Sequence, residues 1–165
     1  MTRFREMRRK NQLLSLEECK AILHARSSGV LAVVGDNDYP YTVPLSYVYH
    51  DDKIFFHSAR TGYKLDAIAR NDKVSFCVID QDDVIPQEYT TYFRSIVVFG
   101  RARVLENEME KRDALEKLAA KYSPNHEQGR LQDIDKLFQY VCIIELAIEH
   151  MTGKEAIELV RMRCE

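Results

Sequence analysis

The chain is expected to be mainly β, an antiparallel β-barrel of about six strands with flanking helices. Three observations carry that expectation: around six stretches keep strand-like patterning, hairpin turns join most of them, and few helical stretches intervene. A closed or nearly closed barrel also hides sheet edges that a chain rich in Val, Ile and Tyr must cover. With 165 residues, 45% hydrophobic and 30% charged, the sequence reads as one domain over residues 1–165.

Residues 1–12 read as a solvated basic arm carrying Arg3, Arg5, Arg8, Arg9 and Lys10. Ser15-Leu16-Glu17-Glu18 is a capping box, and Leu16, Cys19, Ile22 and Leu23 share one helical face, which predicts a helix over Leu16–Ala25 ended by Ser27-Ser28-Gly29. Strand period then runs from Val30 to Val34, turns at Asp36-Asn37-Asp38, continues from Tyr39 to Tyr49, turns again at Asp51-Asp52 and resumes from Lys53 to Ser58. A short helix over Gly62–Arg70 turns Leu65, Ile68 and Ala69 inward, and Asn71-Asp72 ends it before a strand over Val74–Ile79.

Gln81 to Gln87 is polar with one proline and reads as a loop, before a long strand over about Thr91–Leu105. Leu115, Leu118, Ala119 and Tyr122 recur at helical spacing within Glu108–Tyr122, and Pro124 and Gly129 mark a loop from Ser123 to about Asp133. The last strand alternates, with Phe138, Tyr140, Cys142, Ile144, Leu146 and Ile148 on one face and Gln139, Glu145 and Glu149 on the other. Residues 154–165 read as a C-terminal tail.

Composition excludes several classes of function. A net charge of −2 argues against a nucleic-acid-binding surface, and no apolar run is long enough for a secretion signal or a membrane span. Cys19, Cys77, Cys142 and Cys164 are too scattered for a zinc site and suit the reducing cytoplasm, three as small buried hydrophobes and Cys164 as an exposed tail thiol. His24, His50, His126 and His150 form no metal-binding pair, Asp80, Asp82 and Asp83 lack the pattern of a calcium loop, and no nucleophile elbow is present, so no metal and no Ser/His/Asp hydrolysis are expected.

The chemistry concentrates in Phe56-His57-Ser58-Ala59-Arg60-Thr61-Gly62-Tyr63-Lys64, where a strand gives way to a helix. A helix N-terminus offers unpaired N–H groups and the positive end of its dipole; Gly62 lets backbone approach an anion, and Ser58 and Lys64 add a hydrogen bond and a charge. The spacing matches neither a Walker loop nor a dinucleotide fingerprint, so the anion belongs more naturally to a mononucleotide or a phosphorylated cofactor. Taken alone, Lys64 reads more simply as a solvated helix residue than as a phosphate ligand.

These pieces resemble the flavin-nucleotide-binding split-barrel superfamily of pyridoxine 5'-phosphate oxidase, and within it the nitroimidazole-resistance (Nim) proteins. The matching segments are Met7-Arg8-Arg9-Lys10, Tyr39 to Tyr47, Phe56 to Ala59 with Gly62 and Lys64, Val97 to Ala102, and His150-Met151-Thr152-Gly153-Lys154. The resemblance implies a split antiparallel barrel and a homodimer with FMN at the subunit interface. It places the phosphate on His57, Ser58, Ala59, Gly62 and Lys64, the isoalloxazine and ribityl chain along Val43, Pro44, Leu45, Ser46 and Tyr47, and Ser95 against the flavin of the other subunit. The His150–Lys154 segment resembles an element close to the barrel mouth.

The activity implied by the resemblance is that of an FMN-dependent oxidoreductase acting on a small molecule, a nitroimidazole or related nitroaromatic reduced to its amine. The alternatives are a non-catalytic flavin- or heme-binding module and a deazaflavin-dependent reductase. Pyridoxine phosphate oxidases carry a C-terminal tryptophan- and arginine-containing substrate motif, whereas this chain has no Trp, so that activity is not expected. His57 reads either as the catalytic group that protonates or orients a substrate or as a ligand of phosphate or backbone. Tyr39, Tyr41, Tyr47 and Tyr49 read as strand residues half buried in the dimer interface, since no basic residue stands between them to suit nucleic acid.

Overall fold

The computed structural model describes residues 4–163. In chain order these form α1 (Leu16–Ala25), β1 (Ser28–Val34), β2 (Pro40–Ser46), β3 (Val48–His50), β4 (Lys53–Ala59), α2 (Tyr63–Arg70), β5 (Lys73–Ile85), β6 (Thr90–Val104), α3 (Glu108–Tyr122), α4 (Glu127–Leu137), β7 (Val141–Glu155) and α5 (Ile157–Arg163), with 3-10 turns at Lys10–Gln12, Asp36–Asp38 and Pro86–Glu88. The strands make one antiparallel sheet in the order β2-β1-β5-β6-β7-β4-β3. Its two outer strands, β2 and β3, are consecutive in the chain and joined through Tyr47 alone, so the sheet must curl until its ends approach. Among the described residues no helix is long and apolar enough to cross a membrane.

Local signals act as expected at several elements. The Ser15 hydroxyl accepts the Glu18 N–H at 3.2 Å while the Ser15 N–H reaches the Glu18 carboxylate at 2.7 Å, closing the capping box of α1. Asp51 and Asp52 both have left-handed backbone, φ 48° and 57°, which a two-residue hairpin turn of the observed β3–β4 kind requires. The long α3 starts on Asn107, whose side chain accepts from the Met109 and Glu110 N–H groups.

Elsewhere tertiary pairing overrides local pattern. The stretch from Tyr39 to Tyr49 is not one strand: it breaks at Tyr47, whose side chain is wholly buried and donates to the Leu23 carbonyl at 2.9 Å. Tyr47 and Tyr49 are therefore core residues, while Tyr39 is exposed. Of the predicted loop Gln81–Gln87, Gln81 to Ile85 are instead the end of β5, because Thr90 to Arg94 on β6 supply a paired strand from Gln81↔Arg94 to Ile85↔Thr90, and Pro86 and Gln87 belong to the 3-10 turn that follows. A register shift between Ile79 and Gln81 frees the Asp80 carboxylate to meet Arg26 at 2.6 Å and Arg94 at 3.3 Å.

The predicted loop Ser123–Asp133 contains most of α4. Only Ile134 of that helix is buried, so its apolar periodicity is faint, and Gly129 sits on it with open space around its Cα. The last strand starts at Val141, after Phe138 has served as the C-cap of α4, and it runs on to Glu155. Its residues Cys142 to Leu146 are buried on both faces, including Glu145, which takes Lys53 at 3.0 Å and Arg103 at 2.8 Å. Residues beyond 154 are not merely a tail, since Glu155 is fully buried against Arg94 and α5 follows it.

The N-terminal arm is likewise not wholly solvated: the buried Gln12 amide donates to the Glu155 carbonyl at 2.9 Å, and the Phe4 ring stacks on His150 at 4.8 Å. Arg3 and Cys164 lie outside the described residues. Two apolar clusters hold the fold. The first fills the inside of the curled sheet around Tyr47, Phe56, Phe76, Ile96 and Leu146, and the second lies between the sheet and α3, with Val48, Phe55, Leu105, Leu118 and Ile143.

Candidate functional site

Alternation along β4 sends neighbouring residues to opposite sides of the sheet. Ile54 and Phe56 belong to the inner cluster, so Ser58 also points inward, whereas Phe55 packs under α3 and His57 follows it outward. Ser58 is buried, and its hydroxyl has no hydrogen-bond partner among the described residues. Across the ladder from it lies Cys142, whose thiol donates to the Ala59 carbonyl at 3.3 Å. A buried hydroxyl left without a partner costs free energy unless something else arrives to bond it.

Positive charge gathers around this hydroxyl. Burial pushes the Cys142 thiol pKa up, and Lys111, Lys64, the neighbouring Ser58 hydroxyl and Arg60 all act to pull it back. Arg60 donates to the Gln139 carbonyl at 3.1 Å, and Lys111 donates to the Phe138 carbonyl at 2.5 Å while its ammonium lies 4.2 Å from the Phe138 ring centre. Lys64 has no ion-pair or hydrogen-bond partner among the described residues.

Gly62 completes the arrangement as the N-cap of α2, at φ 140° and ψ 165°, a conformation essentially reserved for glycine. It offers no side-chain cap, and the Leu65 and Asp66 N–H groups turn back to its carbonyl at 3.0 and 3.2 Å, so the N–H groups of Tyr63 and Lys64 stay open at the positive end of the helix. The orphaned Ser58 hydroxyl, the open helix start and the unpaired Lys64 together fit a phosphate.

Two cavities flank this corner and share Phe138 and Val141. One, of about 280 Å³, lies under α3 and α4 and includes Ser46 and His57. The other, of about 710 Å³, includes Arg60, Lys111 and Cys142. His57 thus faces an apolar space and not the Ser58 corner, and it makes no hydrogen bond, ion pair or ring contact among the described residues.

Ser58 stands at the end of β4 and Gly62 and Lys64 at the start of α2 that follows, while His57 lies on the reverse side of the same strand. Ala59 contributes a carbonyl already taken by Cys142. On β2, Val43 and Leu45 pack against the inner cluster, while Pro44 and Ser46 are exposed. Tyr47 stands apart: its ring is in the core, its N–H reaches the Tyr122 hydroxyl at 2.9 Å, and its carbonyl lies 2.9 Å from the same hydroxyl. Ser95 pairs with Ile79 and Lys154 on a stretch of sheet twelve residues along β7 from Cys142 (154 − 142), so one chain does not bring it to the Ser58 corner. Sequence reasoning missed Lys111 and Phe138 as site residues, because α3 and the end of α4 reach the corner only through the tertiary fold.

Residues 15–155 match the model of the pyridoxamine 5'-phosphate oxidase family. No curated protein matches the chain in sequence. Among solved structures, a candidate 5-nitroimidazole antibiotic resistance protein from Bacteroides thetaiotaomicron is 20% identical with a TM-score of 0.72, over 87% of this chain and 86% of that one. An FAD-binding protein from Mesorhizobium loti is 27% identical with a TM-score of 0.62, over 88% and 97%. The flavocytochrome Anf3 from Azotobacter vinelandii is 21% identical with a TM-score of 0.80, over 94% of this chain and 74% of that one.

Proposed function

The chain belongs to the pyridoxamine 5'-phosphate oxidase family, and on that premise we propose that it is an FMN-dependent oxidoreductase acting on a small nitroaromatic such as a nitroimidazole. The observation that carries the flavin part is the uncapped start of α2 at Gly62 beside Lys64, which has no ion-pair or hydrogen-bond partner among the described residues, with the buried Ser58 hydroxyl offered no stronger partner than the Cys142 thiol. Similarity in fold to flavin-binding proteins supports the same cofactor. The curled sheet, whose end strands meet at Tyr47, is then a split barrel, and a second copy of the chain completes the site by bringing its own Ser95 to the flavin.

Bound flavin supplies the electron transfer. The tasks of this chain are to hold and orient. Ser58, Lys64 and the Tyr63 and Lys64 N–H groups fix the phosphate; Pro44 and Ser46, exposed on β2, line the ring; the unpartnered His57 imidazole hydrogen-bonds a substrate oxygen. The absent tryptophan motif sets the activity apart from oxidation of pyridoxine phosphate.

The test begins with the absorbance spectrum of the purified protein and the identity of the cofactor it releases. Yellow protein releasing FMN is the expected result, a Soret band would replace flavin by heme, and colourless protein that takes up no FMN would contradict the reading. Photoreduced protein in excess is then mixed anaerobically with a 5-nitroimidazole. Reoxidation accompanied by the amine supports the substrate class, and reoxidation without amine removes it.

A further inference from the structure

The cavity beneath α3 and α4 differs in kind from the phosphate corner. Its volume of about 280 Å³ lies near the lower end of the roughly 300–1,000 Å³ typical of ligand sites. Leu115, Leu118, Ala119, Leu137, Phe138 and Val141 make most of its wall, and no lysine or arginine lines it. Among its polar residues the Tyr122 hydroxyl is already committed, accepting the Tyr47 N–H at 2.9 Å and facing the carbonyls of Tyr47 and Ser27. Ser46, His57 and Asp133 are left, and none of their side chains has a partner among the described residues.

This lining selects by charge. An anion would lie beside the Asp133 carboxylate with no lysine or arginine to answer it, and a cation, though it could meet that exposed carboxylate, would gain nothing from the apolar walls. An uncharged ring gives up little hydration on entry, gains contact with the leucines and Phe138, and can set one polar substituent against His57 or Ser46.

We propose that this cavity binds an uncharged, single-ring organic compound bearing one hydrogen-bonding substituent, with the α3–α4 hairpin as its roof and His57 as its polar anchor. As the substrate pocket of the oxidoreductase it rests on the reading above; as a binding site it rests on the cavity alone. It separates this chain's ligand from any phosphorylated substrate, because no lysine or arginine lines the cavity to answer a phosphate.

The experiment uses the full chain as purified, with its flavin content first recorded by absorbance, and 4-cresol as the probe in saturation-transfer NMR and calorimetry. Saturable binding of 4-cresol is expected, phenyl phosphate should fail to displace it, and Ala119→Phe should weaken it roughly tenfold or more by filling the cavity. Should Ala119→Phe fail to fold, Leu137→Phe at the more exposed lip serves the same purpose, since Leu137 is 46% exposed. Displacement of 4-cresol by phenyl phosphate, displacement by FMN, or indifference to a folded filling variant would each overturn the proposal. Yellow protein that binds no 4-cresol sinks this inference and spares the flavin reading, whereas colourless protein that binds it does the reverse.

Discussion

Among the described residues the buried Ser58 hydroxyl meets no stronger partner than the Cys142 thiol, so on the proposed reading the cofactor-free protein carries a cost that bound phosphate would relieve. Removing it separates stability from function. Ser58→Ala should raise the stability of the flavin-free protein by up to about 1 kcal/mol, read as a higher thermal midpoint, while weakening flavin binding. A lower midpoint together with unchanged flavin affinity would mean that the hydroxyl is structural. His57, one residue earlier, is turned to the opposite face and so cannot be replaced in the phosphate corner by any rotamer of its own. The pleat of one strand turns the imidazole and the hydroxyl to opposite faces, a feature visible in the sequence as the alternation of Ile54, Phe56 and Ser58 with Phe55 and His57.

At the scale of elements, β7 is the strand most dependent on its neighbours. Burial alone would raise the Glu145 pKa, but the Arg103 and Lys53 partners on β6 and β4 outweigh it and hold the carboxyl below its ordinary value of 4.5. A carboxylate whose folded pKa is lowered stabilises the fold above its unfolded pKa and ceases to do so as pH falls through the folded one. Glu145→Gln should therefore cost about 1–2 kcal/mol near neutral pH, with the gap in thermal midpoint between the two proteins closing as pH drops below the glutamate range. A gap that stays constant with pH would remove the charge from the explanation.

Elements also differ in how plainly the chain announces them. The helices α1 and α3 declare themselves through Ser15, Glu18 and a regular apolar face, and the Asp51-Asp52 turn through its residue types. The second half of β5 does not, because Gln81 to Ile85 become strand only by pairing with Thr90 to Arg94. Helix α4 does not either, because a helix with one buried residue carries almost no periodic signal. Ser58, Gly62 and Lys64, proposed as the phosphate corner, stand within seven residues of one another and so could be picked out of the sequence; the positions of Lys111, Phe138 and the cavity roof depend on how α3 and α4 pack, which no local pattern records.

For the whole molecule, the proposed dimer requires a surface for a second copy, and the outward face of the sheet offers exposed apolar residues for it. Phe76, Val78, Ile96 and Val98 point into the core, so Cys77, Ile79, Val97 and Val30 turn outward, and register sets Val30, Cys77 and Val97 in one row. Ile79 is 61% exposed directly opposite Ser95, the residue assigned to the other subunit's flavin. Ile79→Lys should convert a dimer to monomers in sedimentation analysis and release the flavin with it. A variant that stays dimeric, or a monomer that keeps its flavin, would place the second chain's contribution elsewhere.

The central claim is that Lys64 and its neighbours hold a flavin phosphate, and the direct measurement is the FMN dissociation constant of Lys64→Ala against the parent chain. Loss of one charge-assisted hydrogen bond to phosphate predicts binding weaker by roughly ten- to a hundredfold, about 1.5–3 kcal/mol, with the fold intact. An unchanged dissociation constant would contradict the account.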